Sequence, residues 1–134
     1  MYNFYYYDDD LTALGIFDSI VGDEFNDSKI TLITTTKNAV ATILKNDIDI
    51  LFLDLHITPF EGMIVFEEVH AKKPNTPIVF ISAGIQPGEV EWARINGLTA
   101  CIEKPVSPKS LVDLIHKILD SKTDKFYFMR STNF

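Results

Sequence analysis

Cysteine is almost absent from this sequence, since Cys101 is the only one among 134 residues. A single cysteine cannot form a disulfide within the chain, and this favours a reducing compartment. The N-terminus has no basic segment followed by an apolar core, and no apolar run is long enough to cross a bilayer. We therefore expect a cytoplasmic protein that does not bind membranes.

Positive charge is also scarce. The chain contains 12 Lys and Arg residues and 19 Asp and Glu residues, so its net charge is −7. This negative charge argues against direct binding of nucleic acid. Hydrophobic residues make up 46% of the chain, enough for the core of one domain. The sequence contains no repeat and no low-complexity tract. We expect one domain over residues 1–121, followed by a C-terminal tail or linker stump over residues 122–134.

Strand-like and helix-like segments alternate along the chain. Residues 48–54 are apolar on both faces, which is typical of a central strand in a parallel sheet. The last helical segment has the clearest apolar stripe, and Ser107 and Pro108 suit its N-terminus. This alternation predicts an α/β fold, a doubly wound parallel sheet with five strands and five helices. The predicted strands are residues 3–7, 29–35, 48–54, 76–82 and 99–103.

Polar residues follow four of these five strands, at the edge where ligands bind in open α/β sheets. They are Asp8, Asp9 and Asp10 after the first strand, Asp54 after the third, Ser82 at the end of the fourth, and Glu103 and Lys104 at the fifth. Clustered carboxylates repel unless a cation joins them, and oxygen ligands on an open rim suit Mg²⁺. A carboxylate between Mg²⁺ and an ammonium can accept a phosphoryl group.

The order and spacing of these motifs resemble the receiver domain of two-component response regulators, the CheY-like superfamily typical of bacteria. The matching residues are Asp8-Asp9, Asp54, Gly62, Ser82-Ala83, Ala93 with Gly97, and Lys104-Pro105. The resemblance implies a flavodoxin-like fold with strand order 2-1-3-4-5. It also implies a signalling phosphoacceptor rather than a turnover enzyme, whose only expected reactions are self-phosphorylation from small phosphodonors and autodephosphorylation.

The resemblance assigns a role to each matching residue. Asp54 would be the phosphoacceptor. Asp8 and Asp9, with Asp54 and the backbone carbonyl of His56, would hold Mg²⁺ or Mn²⁺, and no other cofactor is expected. Lys104 would contact the phosphoryl group.

Two further positions would form the switch. Ser82 would move towards the phosphoryl group on activation, and Cys101 occupies the position where the family usually has Tyr or Phe. The resemblance also implies a cis peptide bond between Lys104 and Pro105. The implied partners are a sensor histidine kinase or a phosphotransfer protein, and a downstream output protein or an effector domain absent from this sequence. A homodimer is a further expectation.

Two other interpretations stay open at this point. Cys101 favours a pseudo-receiver, which keeps the fold as a protein-interaction module without being phosphorylated. The letters Asp8-x-Asp10-x-Thr12 match the Asp-x-Asp-x-Thr pattern of haloacid-dehalogenase-type phosphatases, in which Asp8 would be the acceptor. The central position of Asp54 and the short chain argue against the phosphatase.

Overall fold

The computed structural model describes residues 1–35, 37–57, 61–120 and 125–130. The strands are β1 (Tyr2–Tyr7), β2 (Ser28–Ile33), β3 (Ile50–Leu53), β4 (Ile78–Ser82), β5 (Ala100–Glu103) and β6 (Tyr127–Met129). The helices are α1 (Leu11–Glu24), α2 (Ala39–Lys45), α3 (Glu61–Lys72), α4 (Pro87–Asn96) and α5 (Pro108–Asp120). Within the described residues, no helix is both long and apolar enough to span a membrane.

The strands form one parallel sheet in the order β2-β1-β3-β4-β5-β6. The predicted doubly wound sheet with order 2-1-3-4-5 and five helices is therefore confirmed, and β6 is an addition to it. Tyr7 of β1, Leu53 of β3 and Phe80 of β4 lie in register across the centre of the sheet. Because the strands are parallel and in register, the residues that follow them meet at one edge.

A separate hydrophobic core covers each face of the sheet. The first core joins the sheet to α1 and α5, and it contains Phe4 and Tyr6 of β1 together with Phe52 of β3. The second core joins the sheet to α2, α3 and α4, and it contains Tyr5 and Tyr7 of the same first strand. Successive side chains of a strand point to opposite faces, so a central strand must be apolar throughout. This explains why all residues of β3 and β4 are buried.

The short strand β6 lies within the segment expected to be a tail. It pairs with β5, with Tyr127 opposite Ala100 and Met129 opposite Ile102. Tyr127 and Met129 pack on the first core, while Phe126 packs on the second. The expected domain boundary at residue 121, and residues 122–124 and 131–134 of the expected tail, lie outside the described residues.

The ends of three helices follow from their local sequences. The Asp10 side chain accepts hydrogen bonds from the backbone N–H groups of Thr12 and Ala13, so Asp10 is the N-cap of α1. Ser107 accepts a hydrogen bond from the Ser110 N–H at the start of α5, as the sequence predicts. Gly97 ends α4 with φ of 97°, a conformation that favours glycine.

The second residue of α3, Gly62, allows this helix to pass close to the loop that follows β3. A Cβ atom on Gly62 would lie 2.6 Å from the Asp54 carbonyl oxygen and 2.9 Å from the Leu55 Cα. Both contacts are with backbone atoms, which cannot move aside as a flexible side chain can. Gly62 thus fixes the backbone of Asp54 against α3.

We predict that Gly62→Ala lowers the free energy of unfolding by about 1–3 kcal/mol, the usual range for overpacking. Gly15→Ala is the matched control, since Gly15 is an exposed helical glycine with no heavy atom within 4 Å of an added Cβ. The control should stabilise the protein by about 0.5–1 kcal/mol, because alanine is the better helix former. Urea denaturation of both variants measures this, and equal stabilities would show that the contact at Gly62 has no consequence.

Candidate functional site

Three carboxylates meet at the edge of the sheet where β1 and β3 end. Asp8 and Asp54 are buried and Asp9 is exposed, and a carboxylate oxygen of each lies within 4.8 Å of those of the other two. Backbone bonds fix this juxtaposition, because the Asp54 N–H donates to the Tyr7 carbonyl at 2.9 Å. Two buried carboxylates at such a separation repel strongly unless positive charge lies beside them.

Lys104 supplies that positive charge. Its Nζ atom lies 2.7 Å from Oδ2 of Asp8 and 3.2 Å from Oδ2 of Asp54. The lysine follows β5, which places its side chain over the ends of the neighbouring strands. Burial lowers the pKa of Lys104, but its hydrogen bond to Asp8 and the charges of both carboxylates outweigh this and leave the pKa raised. The peptide bond from Lys104 to Pro105 is cis, as expected.

Asp8 is the most extensively hydrogen-bonded of the three carboxylates. Its Oδ2 atom accepts from the Tyr6 hydroxyl at 2.5 Å as well as from Lys104, and its Oδ1 atom accepts from the Asp10 N–H at 2.9 Å. Burial alone would raise the pKa of Asp8. The bonds from Lys104, Tyr6 and Asp10 stabilise the carboxylate and hold the pKa below its ordinary value.

Asp54 has fewer donors and a pKa shifted in the other direction. Its Oδ1 atom accepts from the His56 N–H at 2.9 Å, and Oδ2 contacts Lys104. Burial is the largest influence, and together with the negative charge of Asp8 it raises the pKa of Asp54 despite these two donors. Asp54 is thus the less stabilised carboxylate and the one with more free acceptor capacity.

Ser82 ends β4, the strand beside β3. The residue is fully buried, and within the described part of the chain its hydroxyl has no hydrogen-bond partner. Its backbone is tied to the site, because the Lys104 N–H donates to the Ser82 carbonyl at 2.9 Å. A buried hydroxyl without a partner is uncommon and is consistent with a ligand oxygen that it would serve.

The donor set fits a hard divalent cation. The cluster offers only oxygen ligands, one of its members is exposed, and hard cations such as Mg²⁺ prefer such ligands and retain several waters. The predicted ligand residues Asp8, Asp9 and Asp54 are brought together, and His56 lies next to them in the β3–α3 loop.

Cys101 lies outside the cluster, in the middle of β5. It is fully buried in the second core, and burial raises the pKa of its thiol to about 12. The adjacent residue on β6 is Phe128, which is partly exposed. A buried, protonated thiol is inert, and its role as a switch residue stays a prediction.

The sequence analysis missed two residues of the site, Tyr6 and Glu89. Tyr6 lies two residues before Asp8, so both side chains point to the same face of the strand, and this spacing could have indicated the contact. Glu89 lies in the first turn of α4, where it accepts from the Gln86 N–H and lies 3.3 Å from Nε2 of His56. The sequence contained no signal for this contact, because it joins a loop residue to a helix residue 33 positions further along the chain.

The opposite pKa shifts of the two buried acids lead to a stability prediction. The raised pKa of Asp54 means that ionising this carboxyl costs more in the folded protein than in the unfolded chain, so above that pKa the charged carboxylate is a source of instability. Without divalent metal, Asp54→Asn should therefore raise the free energy of unfolding, by roughly 1 kcal/mol, the size of a typical point-mutation effect.

The instability caused by charged Asp54 should depend on pH. A raised folded-state pKa means that the penalty exists at neutral pH and disappears as pH falls through that pKa and Asp54 takes up a proton. The stability gap between Asp54→Asn and the parent should accordingly shrink as pH is lowered towards 4. Thermal melts in chelator at several pH values measure the gap, and a gap that widens on acidification would contradict the assignment.

Comparisons with known proteins agree with this geometry. The family described as "Response regulator receiver domain" matches residues 6–116. The response regulator SaeR of Staphylococcus aureus is 31% identical over 96 residues, which are 72% of this chain and 42% of that protein. The chain thus matches less than half the length of this curated relative.

Solved structures show the same fold. A CheY-like receiver domain protein from Methanospirillum hungatei has a TM-score of 0.80 at 22% identity, over 90% of this chain and 94% of the other. The non-phosphorylated HemR receiver domain from Leptospira biflexa has a TM-score of 0.78 at 18% identity, over 92% and 98%. The family match covers most of the chain, and the chain belongs to the response regulator receiver domain family of two-component systems.

Proposed function

We propose that Asp54 accepts a phosphoryl group from a phosphohistidine of a sensor histidine kinase or phosphotransfer protein, in a reaction that depends on Mg²⁺ or Mn²⁺. The observation that carries the proposal is the position of Asp54, beside two further carboxylates and the ammonium of Lys104. Phosphorylation then changes the contacts of the domain with an output protein or an effector domain. The domain acts as a signalling switch that does not itself bind nucleic acid.

The transfer is a displacement at phosphorus. A carboxylate oxygen of Asp54 forms the new O–P bond while the N–P bond of the phosphohistidine breaks. The imidazole carries a proton on its other nitrogen before the transfer, so it leaves as the neutral ring. Asp8, Asp9, Asp54 and the His56 carbonyl would hold the metal ion, which would supply positive charge for the phosphoryl oxygens. Lys104 adds a second positive charge from the side of β5, because its ammonium already lies 3.2 Å from the acceptor carboxylate.

Ser82 supplies a hydrogen-bond donor for the product. Its hydroxyl is buried and has no partner among the described residues, so donation to a phosphoryl oxygen replaces no bond in the unmodified protein. Movement of Ser82 towards that oxygen is the first step of the proposed switch. Cys101, which occupies the position of the usual aromatic residue, is the second residue of the proposed switch.

An apolar groove beside the site suits a protein donor. It has a volume of about 390 Å³ and lies between α1 and the β5–α5 loop, with Lys104 at the end nearest Asp54. Ala13, Ile16 and Val106 are among its lining residues. A partner helix in this groove would lie next to Lys104, whose ammonium contacts the proposed acceptor carboxylate of Asp54.

The phosphatase interpretation has less support. It requires Asp8 as acceptor and Asp10 as a second acid of the site. The carboxylate of Asp10 instead caps α1, and both oxygens of Asp8 already accept hydrogen bonds. The pseudo-receiver differs from the proposed function only in lacking the phosphoryl transfer, and one experiment separates the two.

We predict that acetyl phosphate with Mg²⁺ adds one phosphoryl group to the protein. Intact mass spectrometry detects the adduct, and borohydride reduction followed by peptide mapping locates it at Asp54. Chelator should abolish the adduct, and so should Asp54→Asn. Asp27→Asn, which alters an exposed acid that forms an ion pair with the N-terminal amine far from the site, should leave it unchanged.

Three outcomes are distinct. An adduct at Asp54 supports the receiver. An adduct at Asp8 would support the phosphatase chemistry instead. No adduct, with no binding of beryllofluoride either, would leave a pseudo-receiver that acts through protein contacts alone.

Ser82→Ala should separate stability from function. The substitution removes a buried hydroxyl without a described partner, so the free energy of unfolding should stay the same or rise by up to about 1 kcal/mol. The affinity for beryllofluoride in the presence of Mg²⁺ should fall, by about tenfold for one lost hydrogen bond to a charged group. Thermal melts and calorimetric titration measure the two quantities, and equal beryllofluoride affinity would remove Ser82 from the proposed switch.

A further inference from the structure

Tyr6 makes a contact with the site that the proposed function does not use. Its hydroxyl donates to Oδ2 of Asp8 at 2.5 Å, and both residues are essentially inaccessible to solvent. The hydroxyl is an obligatory donor there, because an unpaired phenol in the core would be costly. Tyr6 and Asp8 are two residues apart in sequence, so the continuous backbone of β1 fixes their separation.

The ring of Tyr6 is held on two sides. Its centroid lies 4.7 Å from that of Phe17 on α1 and 6.4 Å from that of Phe52 on β3. Phe17 and Phe52 also contact each other, at 4.8 Å in an edge-on arrangement. Since the ring cannot rotate out of this aromatic cluster, the hydroxyl stays directed at the carboxylate.

This contact determines which part of Asp8 is available to a cation. The Tyr6 hydroxyl and the Lys104 ammonium both donate to Oδ2, while Oδ1 accepts one backbone N–H, from Asp10. With two donors on Oδ2, the remaining lone-pair capacity of Asp8 lies mainly on Oδ1. Loss of the Tyr6 hydroxyl would leave Oδ2 of Asp8 with Lys104 as its one donor, and Lys104 also bonds Asp54, so the Asp10 N–H would be the only remaining donor that serves Asp8 alone among the described residues.

We propose that Tyr6 is a positioning residue for the metal site, which orients the Asp8 carboxylate so that Oδ1 is presented to the divalent cation. The inference rests on the metal site of the proposed function and deepens it. A buried partner that orients a ligand typically contributes about 10- to 100-fold to metal affinity. Tyr6 thus acts through Asp8 and contacts neither the cation nor the phosphoryl group.

Mn²⁺ is the probe for the test, because electron paramagnetic resonance measures free Mn²⁺ directly. We expect Tyr6→Phe to raise the Mn²⁺ dissociation constant by about tenfold, the lower end of that range. Tyr5→Phe is the matched control, since it removes a phenolic hydroxyl from the same strand on the opposite face. The control should stay within about twofold of the parent protein.

A double-mutant cycle separates positioning from a general structural effect. If Tyr6 acts through Asp8, Tyr6→Phe should have no further effect on Mn²⁺ affinity in the Asp8→Asn background. An equal tenfold loss in that background would overturn the inference, because Tyr6 would then act through the fold as a whole.

The remaining outcomes are also decisive. Unchanged Mn²⁺ affinity in Tyr6→Phe, with the parent binding Mn²⁺ and losing it on Asp54→Asn, would refute the role of Tyr6 and leave the proposed function intact. A parent protein that binds no Mn²⁺ would overturn the metal site and the inference with it. If Tyr6→Phe is too unstable for titration, the shift of its melting temperature with Mn²⁺ concentration reports the same affinity by mass action.

Discussion

The bridge from Lys104 to Asp8 and Asp54 is the interaction on which the site depends. Two carboxylates buried at the end of a sheet would each lose the solvation of water and would repel one another. The lysine ammonium lies within 3.2 Å of both and is itself largely buried, so it compensates both charges at once. Apolar residues often stabilise a fold as well as a buried ion-pair cluster does, so this cluster points to a role in binding or chemistry more than to a role in stability.

The alternation of side chains along each strand places these three side chains on the same face of the sheet. Tyr6, Phe52 and Ile102 all face the first core, and the residues two positions further on are Asp8, Asp54 and Lys104. Because a strand repeats every two residues, each polar side chain emerges on the same face at the carboxyl edge of the sheet. The parallel register of β1 and β3 then sets Asp8 beside Asp54.

The two buried acids, Asp8 and Asp54, have different hydrogen-bond partners, and their pKa values are shifted in opposite directions. Asp8 is surrounded by donors from Tyr6, Asp10 and Lys104, which hold its charge and orientation constant. Asp54 keeps spare acceptor capacity and a raised pKa, so it gains most from a cation or from conversion to an acyl phosphate. In the proposed function, Asp8 would be the fixed ligand and Asp54 the reactive carboxylate, which is the arrangement that phosphoryl transfer by positioning requires.

Much of this was predictable because it depends on short-range patterns. The strands and helices follow from hydrophobic periodicity, and Asp54 and Lys104 follow from the rule that ligands bind beyond the carboxyl ends of strands. The strand β6 was missed because three residues are too few to show a period, and its pairing with β5 depends on tertiary packing. The contact of Tyr6 with Asp8 was missed because aromatic residues in a strand are ordinarily interpreted as core residues.

Cys101 lies on the face of the sheet that packs against α4, at the position where the receiver family usually has Tyr or Phe. Cys101 is a small side chain, fully buried in the second core, so the position where the resemblance leads one to expect a ring holds none, and its role as a switch residue stays a prediction. Aromatic rings on that face come instead from the neighbouring strand β4 and from α4. Phe80, two residues before Ser82 on the same strand, stacks on Trp92 of α4 with centroids 6.3 Å apart and planes 13° apart. The end of β4 therefore contacts α4 directly through Phe80 and Trp92, and this contact does not involve a residue of β5.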